Sequence, residues 1–209
     1  MSKTLAACAF AAGAALAAGG WVVWSKNPPQ RSPAELMDVV MWNKEPIGGP
    51  FALIDHNGKP RTDSEFRGKL MLIYFGFTFC SDVCPTDLQA IAGALDKLGP
   101  AGDDVQPLFI TIDPEKDTPE QLKGHVGLFH SRMIGLTGSP SQIRKVASDY
   151  KVYYAKTEPS KRTDTSIDHS GFTFLIGRDG KYLGFFPPGT AADRMAETIR
   201  PYLTARSQG

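Results

Sequence analysis

The chain has 209 residues, of which 42% are hydrophobic, and a formal net charge of +1. So small a charge excludes the strong basic surplus with which nucleic-acid binders hold phosphate, and three cysteines are too few for a disulfide-stapled scaffold. Without its N-terminal segment and the linker after it the chain is roughly 160 residues, one domain with a substantial core.

Residues 1–25 read as a membrane anchor. The stretch 4–24 follows Lys3 and carries no charge, and its length suits the roughly 20 residues of a spanning helix. Trp21 and Trp24 fall at one end of it, where amphipathic rings favour the interface. Ala15-Leu16-Ala17 resembles a signal-peptide cleavage site, but the apolar run continues past it, which favours an uncleaved anchor. Cys8 reads as a small apolar residue of that helix, because almost no hydrophobic region precedes it to make a lipidation signal. Either reading exports the domain. The very short basic stretch ahead of the anchor points to a bacterial inner membrane, crossed once, with the C-terminal domain in the periplasm. Residues 26–46 are polar, contain Pro28, Pro29 and Pro33, and read as a tether. Residues 47–209 are the folded domain.

The domain opens with an apolar run at 51–54 that leads through Asp55 into His56-Asn57-Gly58, a hairpin signal. Residues 70–75 are continuously apolar, as in a strand buried on both faces. Leu88, Ile91, Ala92 and Leu95 recur at helical spacing, so a helix spans about 85–98, with Pro85 at its start. Residues 105–112 form the next strand. Thr118-Pro119-Glu120-Gln121 and Ser139-Pro140-Ser141-Gln142 each open a helix with a capping-box pattern. A short strand at 152–155 and a long polar loop at 156–167 follow. Strands at 172–176 and 182–186 flank the turn Arg178-Asp179-Gly180. A last helix from Thr190 carries Met195, Ile199 and Leu203 on one face. This order predicts an α/β fold: a thioredoxin-like sheet with parallel pairs, flanked by helices. In such sheets the functional group sits at a strand-to-helix corner.

Cys80 and Cys84 occupy that corner. A helix N-terminus presents unpaired N–H groups and positive dipole charge, which favour thiolate over thiol. A thiolate is both nucleophile and metal ligand, so the pair alone leaves redox chemistry and metal binding open. Three intervening residues permit a redox-active Cys80–Cys84 disulfide, and also leave room for one ion between two sulfurs. Of the four histidines, His56 lies in the hairpin turn and reads as solvated. His125 and His130 are five apart, not the spacing that puts two ligands on one helical face, and read as structural or surface residues. His169 enters the closing hairpin beside the cysteine corner and is a candidate third donor, against the plain alternative of a loop histidine that binds nothing. Two thiolates and one imidazole make a soft set suited to copper; structural zinc wants a fourth ligand. Met71 and Met133 sit in apolar runs and read as core.

The chain resembles the Sco/SenC family of copper proteins that serve cytochrome c oxidase assembly. The resemblance spans about 47–203 and rests on Gly48-Gly49-Pro50-Phe51, on residues 74–80 (Tyr-Phe-Gly-Phe-Thr-Phe-Cys), and on Asp82-Val83-Cys84-Pro85. It continues through residues 111–119 (Thr-Ile-Asp-Pro-Glu-Lys-Asp-Thr-Pro), Leu136-Thr137-Gly138 and Asp168-His169-Ser170. It implies copper bound by Cys80, Cys84 and His169. It also implies delivery of copper to the CuA centre of cytochrome c oxidase subunit 2, or reduction of that centre's cysteines, with a periplasmic copper donor upstream. Ser81 departs from the family, which commonly has proline there to stiffen the loop. Asp113-Pro114 and Asp117-Thr118-Pro119 read as a turn with a helix cap, and Asp82 and Asp168 as charges near the metal. The primary expectation is a metallochaperone. The alternatives are a thiol-disulfide reductase and a thiol peroxidase, since Val83-Cys84-Pro85-Thr86-Asp87 resembles a peroxiredoxin nucleophile segment. Cys80 and His169 have no counterpart role in a peroxidase.

Overall fold

A computed structural model describes residues 33–42, 45–80, 83–156 and 167–204. The expected anchor, Cys8, Ser81, Asp82 and most of the polar loop lie outside these residues. Among the described residues no helix is long and apolar enough to cross a membrane.

Helix α1 (Pro33–Trp42) comes first, within the stretch read as a tether. Val39 and Val40 on it are buried, so the packed domain begins before residue 47. Strands β1 (Ala52–Asp55) and β2 (Pro60–Thr62) form the expected hairpin. The Asp55 carboxylate accepts from the backbone N–H groups of Asn57 (2.8 Å) and Lys59 (3.0 Å), and Gly58 takes φ +77°, which glycine adopts without a steric penalty. Strand β3 (Leu70–Gly76) is buried throughout. It leads through the cysteine loop to helix α2 (Val83–Leu98). That helix starts two residues before Pro85, which is tolerated there because first-turn N–H groups have no helical acceptor.

Strand β4 (Val105–Thr111), helix α3 (Pro119–Val126), strand β5 (Ile134–Thr137) and helix α4 (Pro140–Asp149) follow. The Thr118 and Ser139 hydroxyls accept from the backbone N–H groups of Gln121 and Gln142, both at 3.3 Å, as the cap signals predict. Strand β5 carries no clear sequence signal, being four residues long with a glycine inside. A side chain at Gly135 would meet Leu122 and Val126 at 3.1 Å. His56 is not merely solvated: its Nδ1 accepts from the Gly135 N–H at 3.0 Å, tying the β1–β2 turn to β5. Strands β6 (Tyr154–Lys156) and β7 (Ile167–His169) pair antiparallel as a separate ribbon. Strands β8 (Thr173–Ile176) and β9 (Tyr182–Phe186) form the closing hairpin, and α5 (Ala192–Thr204) ends the domain.

The main sheet has the order β2-β1-β5-β4-β3-β8-β9. Strand β3 runs parallel to β4 and antiparallel to β8, and β4 runs parallel to β5. Alternate residues of β3 enter two cores. Met71, Ile73 and Phe75 join Phe174 and the α4 residues Ile143, Val146 and Ala147 on one face. Leu70, Leu72 and Tyr74 join Leu88, Ile91 and Leu95 of α2 and Met195 and Ile199 of α5 on the other. The expected mixed sheet with helices on both faces is what forms.

Phe174 is fully buried and its ring meets those of Phe75 (6.0 Å), Tyr150 (5.5 Å) and Phe172 (6.4 Å). Phe174→Ala is expected to lower unfolding free energy by about 3–5 kcal/mol, measured by denaturant titration.

Candidate metal centre

The functional end of the sheet is where β3 stops. Phe77, Thr78 and Phe79 turn the chain out, closed by a bond from the Cys80 N–H to the Phe77 carbonyl (3.2 Å). Cys84, the second residue of α2, is fully buried, while Cys80 is half-buried; neither is in a disulfide. Because β8 runs antiparallel to β3, with Thr173 opposite Tyr74, the chain entering β8 lies at the end from which the chain leaves β3. His169 arrives there as the last residue of β7, not as a loop residue. A three-residue strand is too short to show alternation in sequence.

The three side chains predicted to act together do converge. The ligand atoms of Cys80, Cys84 and His169 all lie within 4.8 Å of one another, and Cys84 Sγ is 3.3 Å from His169 Nε2. His169 Nδ1 lies 3.4 Å from the Ser170 carbonyl; with its proton there, Nε2 presents a lone pair to the sulfurs. Ser170 is fixed in turn: its N–H donates to the Tyr153 carbonyl (3.0 Å) and its hydroxyl accepts from the Tyr153 N–H (3.1 Å). The Tyr74 and Phe77 rings stand edge-on to the imidazole at 6.3 and 6.0 Å.

The donor set and the space both fit a soft ion. Two sulfurs and one imidazole suit a thiophilic, low-coordinate metal. Gly76 keeps the cradle open, since a Cβ there would sit 3.0 Å from the Phe109 and Tyr74 rings and 3.3 Å from Cys84 Sγ. Of the other histidines, His125 packs between the Phe109 and Phe129 rings, each at 5.2 Å, where burial holds its basicity down. His130 Nδ1 accepts from the Arg132 N–H at 3.1 Å. Met71 and Met133 are core residues. Asp168 is exposed on β7.

The helix terminus does not win at Cys84. Hydrogen bonding to Cys80 and then burial push its thiol above the ordinary range, against a smaller opposing bond from Tyr74. A metal must therefore displace a proton held there. The sequence reading missed what lies beneath. Tyr74, whose own ionisation burial pushes far up, donates to Asp87 Oδ2 at 3.3 Å. Asp87 is 1% exposed and also accepts from the Gly189 N–H at 2.8 Å. Burial, first, raises the Asp87 carboxyl above its usual value, opposed by these bonds and by His169. An acidic residue three positions after Cys84 was the available signal, since it follows Cys84 by one helical turn.

A thioredoxin-like domain with two cysteines and a histidine gathered at its strand-to-helix corner defines a soft-metal or thiol-redox protein. The sequence profile of the SCO1/SenC family matches residues 40–204, and the chain belongs to that family. It is 41% identical over 182 residues to a SCO2-like protein of Rickettsia prowazekii, covering 86% of this chain and 88% of that one. It is 42% identical over 157 residues to the mitochondrial protein SCO1 homolog 1 of Arabidopsis thaliana, covering 75% of this chain but about half, 47%, of that longer protein. The structure of Arabidopsis thaliana ScoI solved with copper bound matches with a TM-score of 0.72 at 41% identity, over 76% of this chain and 99% of that one.

Two outcomes follow from this packing. Gly76→Ala is expected to cost about 1–3 kcal/mol by overpacking, and thiol titration of the folded variant should show altered Cys84 reactivity. For Asp87, the folded state keeps the carboxyl proton to a higher pH than the unfolded chain does. Its burial therefore costs stability progressively as pH rises from about 4, the ordinary carboxylate value, through the raised one. Denaturation of Asp87→Asn across pH 3–8 should show that component of the pH dependence gone, so that the variant gains on the wild type as pH rises through this window.

Proposed function

We propose that this protein is a copper metallochaperone that binds one copper ion, Cu(I) or Cu(II), through Cys80, Cys84 and His169 and delivers it to the CuA centre of cytochrome c oxidase subunit 2. The observation that carries the reading is the approach of two thiol sulfurs, not joined in a disulfide, and one imidazole to within 4.8 Å. Copper is cargo here, and the unequal exposure of its ligands supports transfer. Cys84 is sealed in the core, whereas Cys80 and His169 are half-buried, so an incoming thiolate can displace those two donors first. The copper-bound Arabidopsis relative supports the choice of metal. Residues 1–25 anchor the domain to a bacterial inner membrane through the tether, with the domain in the periplasm, where a copper donor loads it.

One alternative has its own support. Two reduced thiols linked by a hydrogen bond, one of them half-exposed, suit a thiol-disulfide reductase that keeps the CuA cysteines reduced. The thiol peroxidase reading is weaker, because Cys84, its candidate nucleophile, is fully buried and held protonated.

The reduced full chain should take up one equivalent of copper, followed by absorption and paramagnetic resonance, with sulfur-to-copper charge-transfer bands for Cu(II). Cys80→Ser, Cys84→Ser and His169→Ala should each lose the bands and bind at least tenfold more weakly. Acidification should weaken binding, as protons compete for the ligands, and prior oxidation to the disulfide should abolish Cu(I) binding. Unchanged stoichiometry and spectrum in His169→Ala would sink the three-ligand site, and a requirement for the cysteines alone would favour the reductase.

A further inference from the structure

Asp117 is a fully buried carboxylate 37 positions after Cys80, in the turn between β4 and α3. Burying a carboxylate is costly unless its oxygens are hydrogen-bonded, and here three donors converge on it. Its Oδ2 accepts from the Thr78 N–H (3.1 Å) and the Thr111 hydroxyl (2.6 Å), and its Oδ1 accepts from the Thr78 hydroxyl (2.6 Å). The turn that presents it is itself tied. The Asp117 N–H donates to the Asp113 carbonyl (2.9 Å), and the Asp113 N–H donates to the Thr111 hydroxyl (2.9 Å). Thr111 ends β4 opposite Gly76 of β3, so the anchor is the sheet itself. Thr78 lies in the short turn closed by the Cys80 N–H on the Phe77 carbonyl.

The two sulfurs differ in freedom. Cys84 is buried in a helix, whereas Cys80 is half-buried at the end of a loop. They form no disulfide and lie within 4.8 Å of each other, and any closure to a covalent bond must come from Cys80. Asp117 ties the segment that has to move.

We propose that Asp117 is a positioning residue: through Thr78 it holds the turn of residues 77–80, and with it the Cys80 sulfur, at the separation from Cys84 that suits a bridging ion rather than a disulfide. The part of this that concerns metal retention rests on the copper reading above; the part that concerns the dithiol does not.

The test is the dithiol–disulfide equilibrium of the full, metal-free chain in a dithiothreitol redox buffer. Closing the Cys80–Cys84 bond passes two electrons and two protons to one oxidised dithiothreitol, which opens to its dithiol. Thr78→Val and Asp117→Asn should each shift the equilibrium about tenfold toward the disulfide, about 30 mV for a two-electron couple. Thr78→Ser, which keeps the hydroxyl, should restore it. Asp55→Asn, at a buried carboxylate in the β1–β2 turn, serves as the control that lowers stability without moving the equilibrium. Copper release to a competing chelator should be faster in Thr78→Val and Asp117→Asn by a similar factor. If these two variants only lose melting temperature, as Asp55→Asn does, and keep the wild-type equilibrium, the proposal is overturned. Thr78→Val carries the decision if Asp117→Asn does not fold. A wild type that takes up no copper refutes the metallochaperone reading while the dithiol measurement still decides the role of Asp117.

Discussion

Strand β3 is the element on which the rest depends. It lies between β4 and β8 with all seven residues buried, so its backbone groups must be satisfied by ladder bonds on both sides. The parallel partner makes the chain leave β3 through a crossover, and that crossover contains the cysteine loop and α2. The antiparallel partner returns the chain to the same end of the sheet, bringing His169. The convergence of residues 80, 84 and 169 is therefore a consequence of one strand having one parallel and one antiparallel neighbour.

The site is a compromise between reactivity and restraint. A helix N-terminus favours thiolates, yet Cys84 is buried and hydrogen-bonded to Cys80, and these effects keep it protonated until a metal takes the proton's place. Tyr74 and Asp87 extend this arrangement beneath the sulfur, and Gly76 leaves the volume that the thiol needs. From the turn after the neighbouring strand β4, the buried Asp117 carboxylate accepts from Thr78. Cys84 is thus held by packing and Cys80 by hydrogen bonds. Cys80 and His169 are both half-buried, unlike the fully buried Cys84.

Much of this was legible in the chain. Continuous apolar runs marked β3 and β4, helical spacing marked α2, and the Thr118 and Ser139 caps marked α3 and α4, because each signal is local and repeats within one element. The three donors were legible too, from residue chemistry joined to an expected topology and a family resemblance. The strands that escaped are short. Strands β5 and β7 have four and three residues, too few for a periodicity, and helix α1 lies in a proline-containing stretch that composition reads as a tether.

The sequence by itself determined which residues carry soft-metal and thiol chemistry and which segments had to be buried, because side-chain type and hydrophobic period are properties of the local chain. Only the tertiary structure decided that His169 comes within 3.3 Å of Cys84, that the Cys80 bond and burial push the Cys84 thiol up, that His56 bonds Gly135, and that Asp117 holds Thr78. Each of these joins residues far apart in the chain or weighs burial against charge, and neither distance nor desolvation exists before the sheet is assembled.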